Sequence, residues 1–129
     1  MESLSGLGFS PSRHLPRGCM SPVTYLIIFD VVPDRREEFL ELLDGVLDAM
    51  RTESTFCEAI LHRDPEREDR FMLYETWESH EDVIEVQLAR PYRKAWHDAL
   101  PRVLQRERGV TIWQPLRSDR APSLSTTGR

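Results

Sequence analysis

The segment RFMLYETW, residues 70–77, is an apolar strand candidate that ends just before Ser79, a residue suited to cap a helix. A strand, an amphipathic helix and a second strand are predicted before it, and a helical region and a last strand after it. A helix that follows the first strand and another that follows the third must each cross back over the sheet. We therefore predict an α+β, ferredoxin-like fold of order β-α-β-β-α-β, with a four-stranded antiparallel sheet and the helices on one of its faces.

Apolar periodicity and turn residues set the predicted boundaries of these elements. Asp34 and Glu37 have the spacing of a capping box, which places the start of the first helix directly after Pro33. Pro101 is expected to kink or divide the last turns of the helical region. The predicted elements are strand one at 23–32, helix one from 34 to 50, strand two at 55–63, strand three at 70–77, a helical region at 79–104 that breaks at Arg90-Pro91, and strand four at 110–116.

Strand one is apolar on both of its faces. Val23, Tyr25 and Ile27 fall on one side and Leu26 and Ile28 on the other. Two helices cover one face of a four-stranded sheet, so the second apolar face needs a cover from outside the chain. We predict a homodimer in which two sheets pack face to face around a two-fold axis, a dimeric α/β barrel.

Composition narrows the classes of protein. The net charge is −5, and the sequence lacks the basic stripe that would bind the phosphates of a nucleic acid, so nucleic acid is not a predicted partner. The longest apolar run, Val23 to Phe29, is too short to span a bilayer, and no membrane association is predicted. With only Cys19 and Cys57 there is no disulfide framework, and the cytoplasm is the predicted location.

One domain is expected at 21–117, between a flexible leader at 1–20 and a disordered tail at 118–129.

Several kinds of chemistry lack a sequence signal. The histidines at 14, 62, 80 and 97 have no i, i+3 or i, i+4 pairing, and the two cysteines do not supply a paired motif, so no metal site is predicted. The sequence also contains no Gly-rich phosphate loop and no Gly-x-Ser-x-Gly elbow. Nucleotide-dependent chemistry and serine-based acyl transfer are therefore not predicted.

Four features together resemble a known family. They are the helix that carries Phe39, the segment Arg51-Thr52-Glu53, the strand at 70–77 with its Glu-x-Trp end, and Arg90-Pro91-Tyr92. In these features the region from Val23 to Leu116 resembles the antibiotic biosynthesis monooxygenase family, which includes quinol monooxygenase-like proteins. The resemblance implies oxygenation of a quinol-like or phenolic aromatic by dioxygen, with no cofactor, in a pocket between sheet and helices. An electron-rich phenolate can itself give an electron to oxygen, so the protein needs to bind the ring, assist deprotonation and exclude water.

The chain departs from the family pattern at one position. Members often carry a histidine four residues before the proline of a Ser-Pro or Thr-Pro pair, whereas this chain has Gln87 before Arg90-Pro91. Glutamine does not carry a proton near neutral pH. Two alternatives therefore remain open: a non-catalytic dimeric ligand-binding module of the same fold, and a haem-binding or haem-degrading relative.

Candidate site residues divide into two groups. Trp77, Tyr92 and Trp96 are predicted to bind the aromatic substrate, although large aromatics also serve as core. Gln87, together with His62 or His97, is the predicted catalytic set that orients the substrate and moves a proton.

Three further residues have two interpretations each. Glu75 lies in an apolar strand as a candidate base with a raised pKa, or as the structural partner of an arginine such as Arg63 or Arg70. Arg90 and Arg93 are candidates for binding an anionic group at a pocket mouth, or members of a solvated face.

Overall fold

Four strands form one antiparallel sheet in the order β2-β3-β1-β4 in the computed structural model, which describes residues 21–122. The strands are β1 (Val23–Asp30), β2 (Phe56–Arg63), β3 (Arg70–Trp77) and β4 (Gly109–Trp113), and the helices are α1 (Arg36–Met50), α2 (His80–Glu85) and α3 (Lys94–Val103). This is the predicted ferredoxin-like α+β fold, with an open sheet. The predicted leader at 1–20 and the last residues of the predicted tail, 123–129, lie outside the described residues.

The strand predictions are confirmed, with differences at their ends. Strand three has the predicted bounds, and β2 begins one residue later than predicted. Strand β1 ends at Asp30 because Val31 pairs with Leu104 in an isolated bridge. Strand β4 ends at Trp113, and Leu116 is 90% exposed, so the apolar run that extended the prediction does not continue the ladder.

The predicted capping box at the start of helix one is wrong. Residues Pro33–Arg35 form a 3-10 turn, closed by a backbone bond from Arg35 N–H to the Val32 carbonyl at 2.8 Å. Helix α1 starts at Arg36, and no side chain caps its first turn. Proline favours this turn because its fixed φ suits a helical first position.

The predicted cap and break in the second helical region are confirmed. The Asp82 N–H donates to Ser79 Oγ at 3.1 Å, which caps α2. The helical path then breaks before Pro91, and α3 begins at Lys94. Pro101 does not divide α3, which ends two residues later at Val103.

The core lies between the helices and one face of the sheet. Its centre is a cluster of rings in which the Phe29 and Phe39 centroids are 5.0 Å apart, with Trp96 5.7 Å from Phe29 and Phe71 5.2 Å from Phe39. Each of these four side chains is buried. The cluster joins α1 and α3 to β1 and β3.

The opposite face of the sheet, which no helix of the described chain covers, has apolar side chains beside Thr24 and Thr76, two polar residues that are themselves buried. Leu26 pairs with Tyr74 on β3, and Ile28 pairs with Met72. Ile60 on β2 is 47% exposed and Trp113 on β4 is 57% exposed. Because side chains alternate along each strand, this surface is separate from the core face.

Candidate functional site

A partly open cavity of about 110 Å³ lies between the sheet and the helices. Apolar side chains from β1, β3, α1 and α2 form most of its wall. Ile84 and Leu88, both about 40% exposed, lie at its helical side. The polar or ionisable residues that line it are Tyr25, Glu75, Arg93, Trp96, His97 and Arg108.

Glu75 is the one carboxylic acid among the cavity-lining residues of the described chain. It occupies the core face of β3, in register with Tyr25 on β1 and Ala59 on β2, and is only 7% exposed. Burial raises the pKa of its carboxyl, an effect opposed by the hydrogen bond from Trp77 Nε1 to Oε1, which is 2.6 Å long. The site therefore contains a proton-binding group in an apolar surrounding.

Glu75 has no arginine partner of the kind considered from the sequence. Arg70 instead faces Asp30 and Asp64, at 3.5 and 3.4 Å. The positive charges that lower the pKa of Glu75 are those of Arg93 and Arg108. These two charges influence Glu75 across the cavity, and within the described residues no ion pair joins either arginine to Glu75.

His97 adds a second group able to accept a proton. It lies on α3, is half-buried, and lines the cavity next to Trp96. Burial lowers the pKa of its imidazole, and the charges of Arg108 and Arg93 lower it further. The ring is therefore held in its neutral form at pH values where an exposed histidine begins to take up a proton.

A tyrosine–histidine pair connects the cavity to the start of α2. The Tyr25 hydroxyl lies 2.6 Å from His80 Nδ1. Burial raises the pKa of Tyr25, and the charge of Glu75 adds to this effect. Tyr25 is thus a phenol rather than a phenolate, and its hydroxyl can donate to the imidazole.

Glu53 organises a polar network beside the cavity. Its carboxylate accepts from Arg90 Nη2 at 3.0 Å, from the Tyr92 hydroxyl at 3.0 Å and from Gln87 Nε2 at 3.4 Å. Gln87 Nε2 also lies 3.1 Å from Asp82 Oδ2. The network links the segment between α2 and α3 to the loop before β2. These hydrogen bonds hold that segment in place at one wall of the site.

We expect Glu53→Ala to destabilise the protein by about 1–3 kcal/mol, because three donors lose a charged acceptor in a mostly buried place. Urea denaturation followed by circular dichroism measures the change. Glu41→Ala, at an exposed position of α1, is the matched control and should alter the unfolding midpoint little. Equal midpoints for the two variants would contradict the role assigned to Glu53.

The structure separates the predicted substrate-binding aromatics. Trp96 lines the cavity. Trp77 is fully buried and touches the site through its bond to Glu75. Tyr92 directs its hydroxyl to Glu53 and is not among the lining residues.

The predicted catalytic set is also separated. His97 lines the cavity, whereas Gln87, 2% exposed, lies in the Glu53 network. His62 is exposed and opposite Met72, a residue of the uncovered sheet face. The structure therefore brings His97 near Glu75 and leaves Gln87 and His62 away from that cavity.

Two cavity residues were not found from the sequence. Tyr25 has a signal, since it shares the core-facing parity of β1, but the sequence indicates only that it belongs to one apolar face of strand one. Arg108 lies in the loop before β4, where no periodic pattern predicts the direction of a side chain.

The fold and cavity define a class, the small ferredoxin-like α+β proteins with a pocket beneath the helices. Comparison with family models gives a match to "Antibiotic biosynthesis monooxygenase" over residues 22–99, more than half of the chain. The chain belongs to this family. The search of curated proteins found no match.

Solved structures with the same fold include the following three. Rv0793 from Mycobacterium tuberculosis is 24% identical, with a TM-score of 0.69, over 76% of this chain and 98% of that one. A conserved protein from Methanosarcina mazei Go1 is 15% identical, with a TM-score of 0.67, over 72% of this chain and 91% of that one. SnoaB, a cofactor-independent oxygenase from Streptomyces nogalater, is 18% identical, with a TM-score of 0.64, over 76% of this chain and 96% of that one. At these identities the likeness concerns the fold.

The membrane and metal predictions concern features of residues 21–122. No helix there has the length and apolar character needed to cross a membrane. No group of three or more histidine, cysteine, aspartate or glutamate side chains there is arranged to bind a metal ion.

Proposed function

We propose that this protein is a cofactor-independent monooxygenase of a quinol-like or phenolic aromatic, and that Glu75 is its general base. The observation that carries the proposal is a buried carboxyl with a raised pKa in a cavity whose wall is mostly apolar. A carboxylate there is a stronger base than in water, and an apolar wall suits an aromatic ring. Membership of a family that contains a cofactor-independent oxygenase supports the reaction type.

The proposed reaction is balanced for hydroquinone as the substrate. Glu75 takes a ring hydroxyl proton, and the phenolate transfers one electron to dioxygen. The two radicals combine to form a carbon–oxygen bond, and the resulting hydroperoxide loses water. Hydroquinone and dioxygen thus give hydroxybenzoquinone and water, with the proton returned from Glu75 to the leaving oxygen.

Neighbouring groups have supporting roles in this proposal. Trp77 positions the Glu75 carboxyl through the Nε1–H bond. His97, whose lowered pKa favours the neutral imidazole, accepts a hydrogen bond from the second ring hydroxyl. Trp96 forms an aromatic wall.

The size of the cavity favours a single ring. Its volume is about 110 Å³, and an engineered apolar cavity of about 150 Å³ is known to bind benzene. Because the cavity is partly open, ring substituents can extend through its mouth.

Dioxygen consumption tests the proposal directly. Metal-stripped protein is mixed with a panel of hydroquinones and phenols in a closed oxygen-electrode cell. We expect uptake that depends on protein concentration and persists in the presence of a chelator. Absence of uptake across the panel would reject the oxygenase proposal.

A Trp77→Phe substitution is expected to shift the pH dependence of kcat/KM. The Trp77 hydrogen bond lowers the pKa of Glu75, so its loss raises that pKa further. Since the base must be ionised, activity falls as pH drops through this pKa, and the acid limb of the profile moves to higher pH. Trp113→Phe, the same change at a tryptophan far from the cavity, should leave the acid limb where it is. An unmoved limb in Trp77→Phe would show that Glu75 does not control the profile.

We also propose that the protein acts as a homodimer in the cytoplasm. The support for the dimer is the sheet face that no helix covers, where Ile60 and Trp113 are 47% and 57% exposed beside Leu26 and Tyr74, because contiguous exposed apolar side chains often mark a contact surface. Pairing two such faces about a two-fold axis makes a closed, symmetric contact.

One observation favours a second candidate, a non-catalytic ligand-binding module. Gln87, at the position where the family often has histidine, is bound to Glu53 and Asp82 in a network outside the cavity. A single-ring phenol would then raise the melting temperature without being oxidised. Ligand-induced stabilisation with no dioxygen uptake distinguishes this module from the oxygenase.

A further inference from the structure

Two arginines line the cavity, and within the described residues neither forms an ion pair with a carboxylate. Arg93 is only 7% exposed, and its Nε has no hydrogen-bond partner among the described residues. Its guanidinium lies over the rings of Trp77 and Tyr92, 5.9 and 5.6 Å from their centroids. Burial of this Nε–H donor without an acceptor is unfavourable.

Arg108 is the second of these arginines. It is half-buried, and it also borders a wider groove along the loop between α3 and β4, which it shares with His97 and Val110. Burial lowers the pKa of Arg108, although a guanidinium remains charged at physiological pH. Its neighbour Arg106, in contrast, points outward and binds Asp30 at 2.7 Å.

The charges around these arginines do not balance. Glu75 is the sole acid in the lining, its Oε1 accepts from Trp77, and burial favours its protonated form. Even when Glu75 is ionised, as its role as a base requires, the lining has two guanidinium groups and one carboxylate, so one positive charge is left without a negative partner there. A bound anion would compensate this charge, and guanidinium groups match a carboxylate in geometry as well as in charge.

We propose that the cavity selects aromatic substrates that carry a carboxylate on the ring, and that Arg93 and Arg108 bind this carboxylate. The proposal rests on the proposed function in that it takes the cavity as the substrate site. It adds a substrate class: a single-ring hydroxylated aromatic acid rather than a neutral quinol. Arg108, between the cavity and the groove, contacts the carboxylate where the ring's edge leaves the cavity.

Calorimetric titration of the whole protein with three matched compounds tests this preference. They are 2,5-dihydroxybenzoate, its neutral amide 2,5-dihydroxybenzamide, and hydroquinone, each titrated without dioxygen so that no turnover occurs. We expect the acid to bind at least about 10-fold more tightly than the amide, and its binding to weaken with added salt. Equal affinities, tighter binding of the amide, or no binding of the acid would overturn the proposal.

Substitutions test whether the cavity arginines cause the preference for the acid over the amide. Arg108→Gln should reduce the acid-to-amide ratio to within about 2-fold, because the amide does not use the charge. Arg106→Gln removes the same charge from the same loop outside the cavity and should leave the ratio unchanged. If Arg108→Gln does not fold, Arg93→Lys, which keeps the charge but loses the planar fork, should lower the ratio. A ratio unaffected by either cavity substitution would overturn the assignment.

The outcomes for the two proposals are independent. Preference for the acid without dioxygen uptake would reject the oxygenase and retain the carboxylate site. Dioxygen uptake with equal affinity for acid and amide would retain the oxygenase and reject the carboxylate site.

Discussion

Glu75→Gln is expected to lower the rate of dioxygen consumption by roughly 10²–10⁴-fold, the usual loss when a general base is removed. Glutamine has nearly the same shape, and its Oε1 can still accept from Trp77 Nε1 at the 2.6 Å position. Substrate binding should therefore persist while proton removal fails. Initial rates in an oxygen electrode, with binding measured separately by calorimetry, separate the two effects.

The same substitution carries a prediction about stability. Burial raises the pKa of Glu75 in the folded protein above its value in the unfolded chain. The folded state then binds the proton more tightly, so the free energy of unfolding falls as pH rises from the unfolded-state pKa through the folded-state pKa. Glutamine has no such ionisation, and the variant should melt at a higher temperature than the parent protein above that range.

A control excludes a general effect of losing a carboxylate. Glu81→Gln changes an exposed residue in the first turn of α2 and should leave both the rate and the pH dependence of melting nearly unchanged. If Glu75→Gln kept full activity, Glu75 would not be the base, and His97 would be the remaining proton acceptor in the cavity lining.

Leu26→Glu is expected to convert the proposed dimer into a monomer. Leu26 is central on the uncovered sheet face, opposite Tyr74 and Thr111, and a carboxylate there would be buried unpaired in a face-to-face contact. Light scattering should give the parent protein twice the 15.1 kDa of one chain and the variant a single chain mass.

The matched control for this substitution is Ala95→Glu, which adds the same charge at an exposed position of α3 and should remain dimeric. Circular dichroism should show folded protein in both variants, since the side chain of Leu26 is outside the core cluster. A parent protein that scatters as one chain at working concentration would contradict the dimer.

The order of elements was predictable because each element has a local signal. The apolar run in residues 70–77 predicted β3, and Ser79 predicted the start of α2. The first helix shows where local signals compete: Asp34 has capping-box spacing, but Pro33 favours a 3-10 turn that uses the backbone instead. The ends of β1 and β4 depended on pairing with other strands, which apolar content alone does not specify.

The site was less predictable than the fold. Glu75 was recognisable as a carboxylate on the apolar face of a strand, and His97 as a histidine beside Trp96. Gln87 and Tyr92 have their partner, Glu53, more than thirty residues away, so their place in a polar network could not be read from neighbours. Arg108 lies in a loop, where side-chain direction depends on tertiary packing.

Isotope labelling tests the central claim most directly, that the cavity performs monooxygenation with dioxygen alone. Metal-stripped protein turns over hydroquinone under ¹⁸O₂ in ordinary water, and the product is reduced at once to prevent exchange and analysed by mass spectrometry. The account predicts one labelled oxygen atom in the product, with the other released as water, and loss of this label in Glu75→Gln. Product without the label, or dioxygen recovered as hydrogen peroxide with hydroquinone merely oxidised to quinone, would contradict it.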